Sequence, residues 1–446
     1  MSELLDIPEI AGLETAHDVV RIPPEMNVPL TPRVRQLIDT PEFRRLDRIP
    51  QLGLVRLVYP GARHTRFEHS LGVYRTALLF LRQLGRDPRF RAAVSPREAE
   101  RFLVAALLHD LGHWPFCHPI EDLALPGVPQ HEMFANSFLL EGEVADVLRD
   151  AWGLHPREVV ELLSAKPRSP GMRLLQSMLS GPIDVDKVDY LARDSLHAGV
   201  PYGRHFDHHR LIGSLCLNEA GNRLAITAKG RTAAEMLVFG RYVMFSEVYW
   251  HHAVRSATAM LQRAFFLLHG TLDLDTLFRT DEDEMVAMLR EAAGAGPAGE
   301  LLDGLFGPAR RLYKRCCEFS FLEQPRLHQQ LARRPYPELA ACAEFLADRL
   351  SRQIGRRIAP HEILIDAPPV SLEVQFRVDV FFPAEPCYRP LEQVSPVVKT
   401  LARQQFDDLV KRVRIFVAPA LVESLRNDVD WPEELQQMVN HVCRDS

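Results

Sequence analysis

The chain has 446 residues, 46% of them hydrophobic and 25% charged, an ordinary globular composition that excludes a disordered or fibrous protein and predicts two or three lobes rather than a single core. Fifty-three basic against 59 acidic residues leave a formal charge of −6, so no global positive field favours nonspecific nucleic-acid binding. Seven cysteines are scattered without a CxxC pair, the first residues are acidic and polar rather than a basic and apolar leader, and no apolar run of about 18 residues occurs. The expectation is a cytoplasmic protein that makes no use of a membrane.

Residues 1–60 are punctuated by Pro23, Pro24, Pro29, Pro32, Pro41, Pro50 and Pro60 and read as a lead-in of short helices and turns. From His69 onward apolar positions recur at three- and four-residue spacing, which predicts helices over His69–Leu84, Pro96–Leu111, His131–Trp152, Pro156–Ala165, Gly171–Leu179 and Asp184–His197. Leu215–Leu217 and Leu224–Ile226 flank the turn-rich Asn218–Asn222 and predict a hairpin. Thr232–His269 reads as one long helix whose aromatic residues, Phe239, Tyr242, Phe245, Tyr249, Trp250, Phe265 and Phe266, are expected in the core. Beyond Gly296 and Pro297 come strand-like runs at Ile363–Ile365, Glu373–Val380 and Arg414–Val417, with helices near 336–353, 396–411 and 430–443 between them. Arg333-Arg334 and Arg356-Arg357 read as solvated helix faces. The expected fold is mainly α, a helical bundle over 61–270 followed by a smaller α+β lobe over 300–446.

Within that pattern His109-Asp110 is an energetic anomaly, because it closes the apolar run Phe102–Leu108 with an imidazole and a carboxylate. Such groups are costly in an apolar segment unless hydrogen-bonded, paired or coordinated to a cation. Adjacent helical residues point about 100° apart, so both reach one ion only at a helix end, and Gly112 and Pro115 supply the break. The dipeptide alone says little, since His17-Asp18 repeats it in a polar stretch without supporting partners. His69 and Asp186 are further polar residues where their helices would be buried, and the four together offer the nitrogen and oxygen donors suited to Fe, Mn, Co, Ni or Zn.

Four motifs, His64–Gly72 (HTRFEHSLG), Leu108–His118 (LHDLGHWPFCH), His131-Glu132 and Ile183–Asp194 (IDVDKVDYLARD), give the chain a clear resemblance to the HD-domain metal-dependent phosphohydrolases, and within them to the deoxynucleoside triphosphate triphosphohydrolases. The match covers about residues 35–265. The resemblance implies an HD-domain helical bundle with His69, His109, Asp110 and Asp186 as ligands of a divalent transition metal, and Mg2+ on the substrate phosphates. It places His113, His118, His131 and Glu132 in the set that handles the proton of the leaving 5′ oxygen. Gln51, Leu52, Arg66, Lys187, Tyr190, Asp194, Arg241 and Tyr249 then contact the sugar, triphosphate or base of a nucleotide substrate, Gln51 reading the 3′ hydroxyl and Leu52 excluding a 2′ hydroxyl. A homo-oligomer is also implied. Plainer roles exist for some of these: a helix start for His131-Glu132, surface ion pairs for Arg66 and Lys187, core packing for Tyr249. The chain departs from the regulated members at Arg44 and Asp47, where they carry a Gln and an Arg that help read an activating guanine nucleotide, and at Glu121, where they carry an Asp. Three functions compete: nucleotide triphosphohydrolase, phosphomonoesterase or phosphodiesterase on another substrate, and nucleotide binding without turnover. A metal motif alone does not specify the leaving group.

Overall fold

The computed structural model describes residues 4–14, 17–369, 377–403, 410–426 and 429–442. Nine strands occur among these: β1 (Val19–Ile22), β2 (Met26–Pro29), β3 (Leu215–Leu217), β4 (Leu224–Thr227), β5 (Lys314–Phe319), β6 (Ile363–Asp366), β7 (Asp379–Phe382), β8 (Cys387–Pro390) and β9 (Val413–Val417). All other regular structure is helical. Two compact units are each drawn from three stretches of chain, 1–114 with 129–244 and 374–403, and 115–128 with 245–373 and 404–446.

The first unit is built on three packed helices, Arg66–Leu84, Pro96–Leu108 and Val185–His197. Each starts where the sequence supplies a cap: Thr65 accepts from Glu68 N, Ser95 and Glu98 form a reciprocal box ahead of Pro96, and Asp184 accepts from Lys187 N. Their inner faces are apolar and fully buried, among them Leu71, Tyr74, Leu78 and Leu81 on the first helix and Phe102, Leu103, Ala106 and Leu107 on the second. The hairpin β3–β4 forms as expected and extends into a four-stranded sheet, order β3-β4-β7-β8, in which β4 and β7 run parallel with Ile226 opposite Val380.

The second unit carries an antiparallel sheet of order β5-β9-β6. Tyr336–Ile354 and Trp431–Val442 cover it through a core that includes Leu346, Leu350, Ile365, Ile415, Trp431, Leu435 and Met438. Arg255 and Asp366 form a fully buried ion pair, with contacts of 2.5 and 3.2 Å.

Several expectations need correction. The helix from Pro96 stops at Leu108, leaving His109 as its C-cap and Asp110 in the turn beyond. His131–Trp152 is not one helix but three short ones, the last beginning at Gly142, whose φ of +75° a side chain disfavours. Thr232–His269 divides into Arg231–Met244, a π-helical turn over Phe245–Tyr249 and His252–Leu268. Trp250 N bonds Phe245 O there at 2.8 Å, so one extra residue is looped into the helix and its faces rotate. Phe239 is 45% exposed rather than in the core. Both arginine pairs lie in the turns flanking the Tyr336–Ile354 helix, not on helices. Of the expected strand Glu373–Val380 and helix 396–411, residues 373–376 and 404–409 lie outside the described residues; the rest gives β7 and the helix Pro396–Arg403. Among the described residues no helix is long and apolar enough to cross a membrane.

Candidate metal centre

Three helix ends meet in the first unit. His69 lies in the first turn of the Arg66–Leu84 helix, His109 and Asp110 follow Leu108, and Asp186 sits in the first turn of Val185–His197. His69 Nε2 is 3.1 Å from Asp186 Oδ1 and 3.9 Å from Asp110 Oδ2. His109 Nε2 is 3.2 Å from Asp110 Oδ1 and 3.8 Å from Asp186 Oδ1. Both Nε2 atoms are buried, and neither makes a hydrogen bond.

Their other nitrogens explain why. His109 Nδ1 is 2.9 Å from Ala106 O, and a carbonyl only accepts, so Nδ1 carries the proton and Nε2 presents its lone pair. Asp189 Oδ2, 2.9 Å from His69 Nδ1, imposes the same tautomer on the second imidazole. Two lone pairs and two carboxylates turned toward one point repel each other unless a cation lies among them. The donor set of His69, His109 and Asp186 could therefore hold a divalent metal, with Asp110 Oδ1 3.2 Å from His109 Nε2 as a further oxygen beside it.

The electrostatics agree. Burial opposes a charge on His69, but the Asp186, Asp189 and Asp110 carboxylates outweigh it and push its pKa up to about 10, so in the absence of a cation the centre takes a proton instead. Burial likewise works against ionised Asp110, yet His113, His109, Arg66 and His69 hold its carboxyl well below the usual range.

The surrounding residues fall into three groups. Next to this cluster, Arg66 Nη1 donates to Asp110 Oδ2 at 2.7 Å while its buried Nε has no hydrogen-bond partner. His113 Nδ1 lies 3.2 Å from Asp110 Oδ1, and its ring centroid is 3.8 Å from that of His131. His131 Nε2 is 3.4 Å from Glu132 Oε1, on an exposed carboxylate. Along the Val185–His197 helix, Lys187 Nζ donates to the capping Asp184 at 2.7 Å, and this contact raises the Lys187 pKa against the effect of burial. Asp194 is buried against His64, with Nε2 and Oδ1 2.9 Å apart, and Tyr190 is half-buried one turn earlier. Gln51 is pinned by a backbone bond to His64 O at 2.9 Å, which leaves its Oε1 buried without a partner, and Leu52 beside it is half-buried. Arg241 is buried near the end of the Arg231–Met244 helix. His118 and Tyr249 belong to the second unit, the former exposed and 3.4 Å from Glu121, the latter edge-on to Phe245 at 5.0 Å.

Asp189 was not among the expected site residues, nor was Arg193, which grips both of its oxygens at 2.8 Å. The available signals were the four-residue spacing of this acid and base on one helix face and a glycine, Gly72, in the middle of the facing helix.

Comparison with known proteins matches two successive stretches of the chain. The HD domain model matches residues 66–194, and the HD associated region model matches residues 206–430, half of the chain. An uncharacterised protein of Bacillus subtilis is 38% identical over 240 residues, 53% of this chain and 52% of that protein. The deoxynucleoside triphosphate triphosphohydrolase SAMHD1 of Homo sapiens is 31% identical over 278 residues, 55% of this chain and 44% of that protein. The chain thus spans about half the length of the curated relatives it matches. A hypothetical protein from Aquifex aeolicus of solved structure superposes with a TM-score of 0.70 at 27% identity, over 92% of this chain and 98% of that one. The histidine and aspartate centre at the junction of three helices and the two matched regions converge on one assignment: the chain belongs to the HD-domain phosphohydrolase family.

Proposed function

We propose that this phosphohydrolase converts deoxynucleoside triphosphates to deoxynucleoside and inorganic triphosphate. The observation that carries the reading is the pair of buried Nε2 atoms, on His69 and His109, that make no hydrogen bond and face Asp110 and Asp186. Those four residues hold the cation, which supplies Lewis acidity toward a phosphoryl oxygen and makes water a competent nucleophile near neutral pH. Water adds to the α-phosphorus, the bond to the 5′ oxygen breaks, and the leaving oxygen takes a proton. His113, His131 and Glu132 are the groups assigned to that proton, for which hydrogen-bond reach and a near-neutral pKa are required. Lys187, Arg241 and Arg66 meet phosphate charge, Gln51 offers its unpartnered Oε1 to a sugar hydroxyl, Leu52 crowds a 2′ hydroxyl, and Tyr190 and Asp194 line the nucleoside pocket. The relationship to proteins named for this reaction supports the substrate class. Homo-oligomerisation is part of the same reading and is checked by light scattering.

The test is a panel of deoxynucleoside triphosphates with protein of measured metal content. Deoxynucleoside and triphosphate are expected in equal amounts. Turnover of phosphomonoesters or phosphodiesters without triphosphate release would replace this substrate class with another, and no turnover by metal-loaded protein would replace the enzyme with a nucleotide-binding protein.

A further inference from the structure

The turn that carries Asp110 and His113 lies beyond the end of its helix at Leu108, and Leu111 N to Leu108 O and His113 N to Asp110 O, both 3.0 Å, tighten it from within. Two contacts from elsewhere in the same unit grip it. A single nitrogen of Arg45, Nη2, donates to Leu111 O at 3.1 Å and to His113 O at 2.7 Å. The guanidinium is itself held over the Phe138 ring, 4.7 Å from the centroid. Between those two carbonyls lies Gly112, where a Cβ would stand 2.1 Å from His131 O and 2.6 Å from Ala135 N, so the turn is pressed against the segment that supplies His131 and Phe138.

We infer that Arg45 is a positioning residue for His113. Its bond to the carbonyl of His113 itself fixes the backbone from which the imidazole projects. That imidazole has to stay 3.2 Å from Asp110 and against the tilted His131 ring if it is to meet the leaving oxygen. An arginine suits the task because one end of its planar guanidinium reaches both carbonyls while its face rests on an aromatic ring. The inference rests on the reading that His113 serves the proton transfer, and it assigns Arg45 no contact with substrate or metal.

A pair of esters separates this role from a merely structural one. Loss of a 5′ alkoxide needs a proton, whereas loss of 4-nitrophenolate from a deoxynucleoside 5′-(4-nitrophenyl phosphate) does not. In metal-loaded Arg45→Ala, kcat on the triphosphate is expected to fall roughly 10- to 100-fold, with KM within about threefold of wild type and the nitrophenyl ester cleaved at nearly the wild-type rate. Arg45→Lys, whose ammonium reaches one carbonyl, is expected to recover part of the loss. The visible absorption of the Co2+-loaded protein should match wild type, showing the ligand set intact. Equal losses on both esters, a changed Co2+ spectrum or an unchanged kcat would each overturn the inference. Should Arg45→Ala fail to fold, Arg45→Lys and Arg45→Gln carry the same comparison. If wild-type protein releases no triphosphate, the proposed substrate fails by itself, and Arg45 is still tested with alkyl against nitrophenyl phosphodiesters.

Discussion

At the scale of single residues, the metal centre depends on a side chain that is missing. A glycine inside a helix costs about 1 kcal/mol relative to alanine, and Gly72 lies inside the Arg66–Leu84 helix. The structure shows what the cost secures: a Cβ at Gly72 would fall 2.0 Å from Asp189 Oδ1 and 2.3 Å from Arg193 Nη2. Gly72→Ala should therefore lower stability by roughly 2 kcal/mol instead of raising it, because the added methyl displaces a buried ion pair. Urea unfolding of the variant measures this, and a stabilised protein would refute it. Asp189→Asn keeps the shape but weakens the anchor of His69, and metal affinity in a chelator competition is expected to drop about 10- to 100-fold. The four residues proposed as ligands stand out in the sequence because an imidazole and carboxylates occupy positions where apolar residues belong. Asp189 does not, since it is one of four aspartates between 184 and 194, and only the fold separates the cap Asp184, the proposed ligand Asp186, the anchor Asp189 and the His64 partner Asp194.

Secondary-structure elements were legible where a local signal marked both ends. Ser95, Pro96 and Glu98 announce one helix and Asp184 another, and both begin where the sequence places them. The π-helical turn at Phe245–Tyr249 escaped notice because no proline or glycine marks it: the interruption consists of backbone bonds, such as Trp250 N to Phe245 O, that any side chain permits. The β5–β9 pairing yields a pH prediction. Glu318 on β5 accepts from Arg315, Arg412 and Arg414, at 2.5, 2.8 and 3.2 Å. Burial works to raise its pKa, but Arg414 and the other two arginines outweigh it, leaving the folded value below the ordinary 4.5. The resulting stability is present above pH 4.5 and is lost as the pH falls through and below that value. Glu318→Gln should thus show a shallower drop in urea midpoint than wild type between about pH 5 and 3. Parallel drops would assign the acid sensitivity to other carboxylates.

For the whole molecule, the proposed ligands come from three segments far apart in sequence, so a cation held by residues 69, 109, 110 and 186 would tie them together only in the folded state. Chelation should lower the thermal midpoint of the transition that contains the Arg66–Leu84 helix. Free metal at 100 times its dissociation constant should restore about 2.7 kcal/mol. Calorimetric traces that coincide with and without metal would contradict this. The fold class could be read from helical periodicity followed by strand-like runs. The partnership of β4 with β7 could not, because nothing in Leu224–Thr227 or Asp379–Phe382 names its partner, and parallel pairing leaves no turn to mark it.

That pairing bears on how the chain is made. Synthesis delivers the whole three-helix framework and the β3–β4 hairpin long before Asp379–Pro390 emerges to cover the open edge of β4. Folding one unit at a time behind the ribosome is thus closed to the first unit, which waits for a strand encoded after most of the second. Through that interval the nascent chain carries an unpaired strand edge, the kind of surface that recruits another chain.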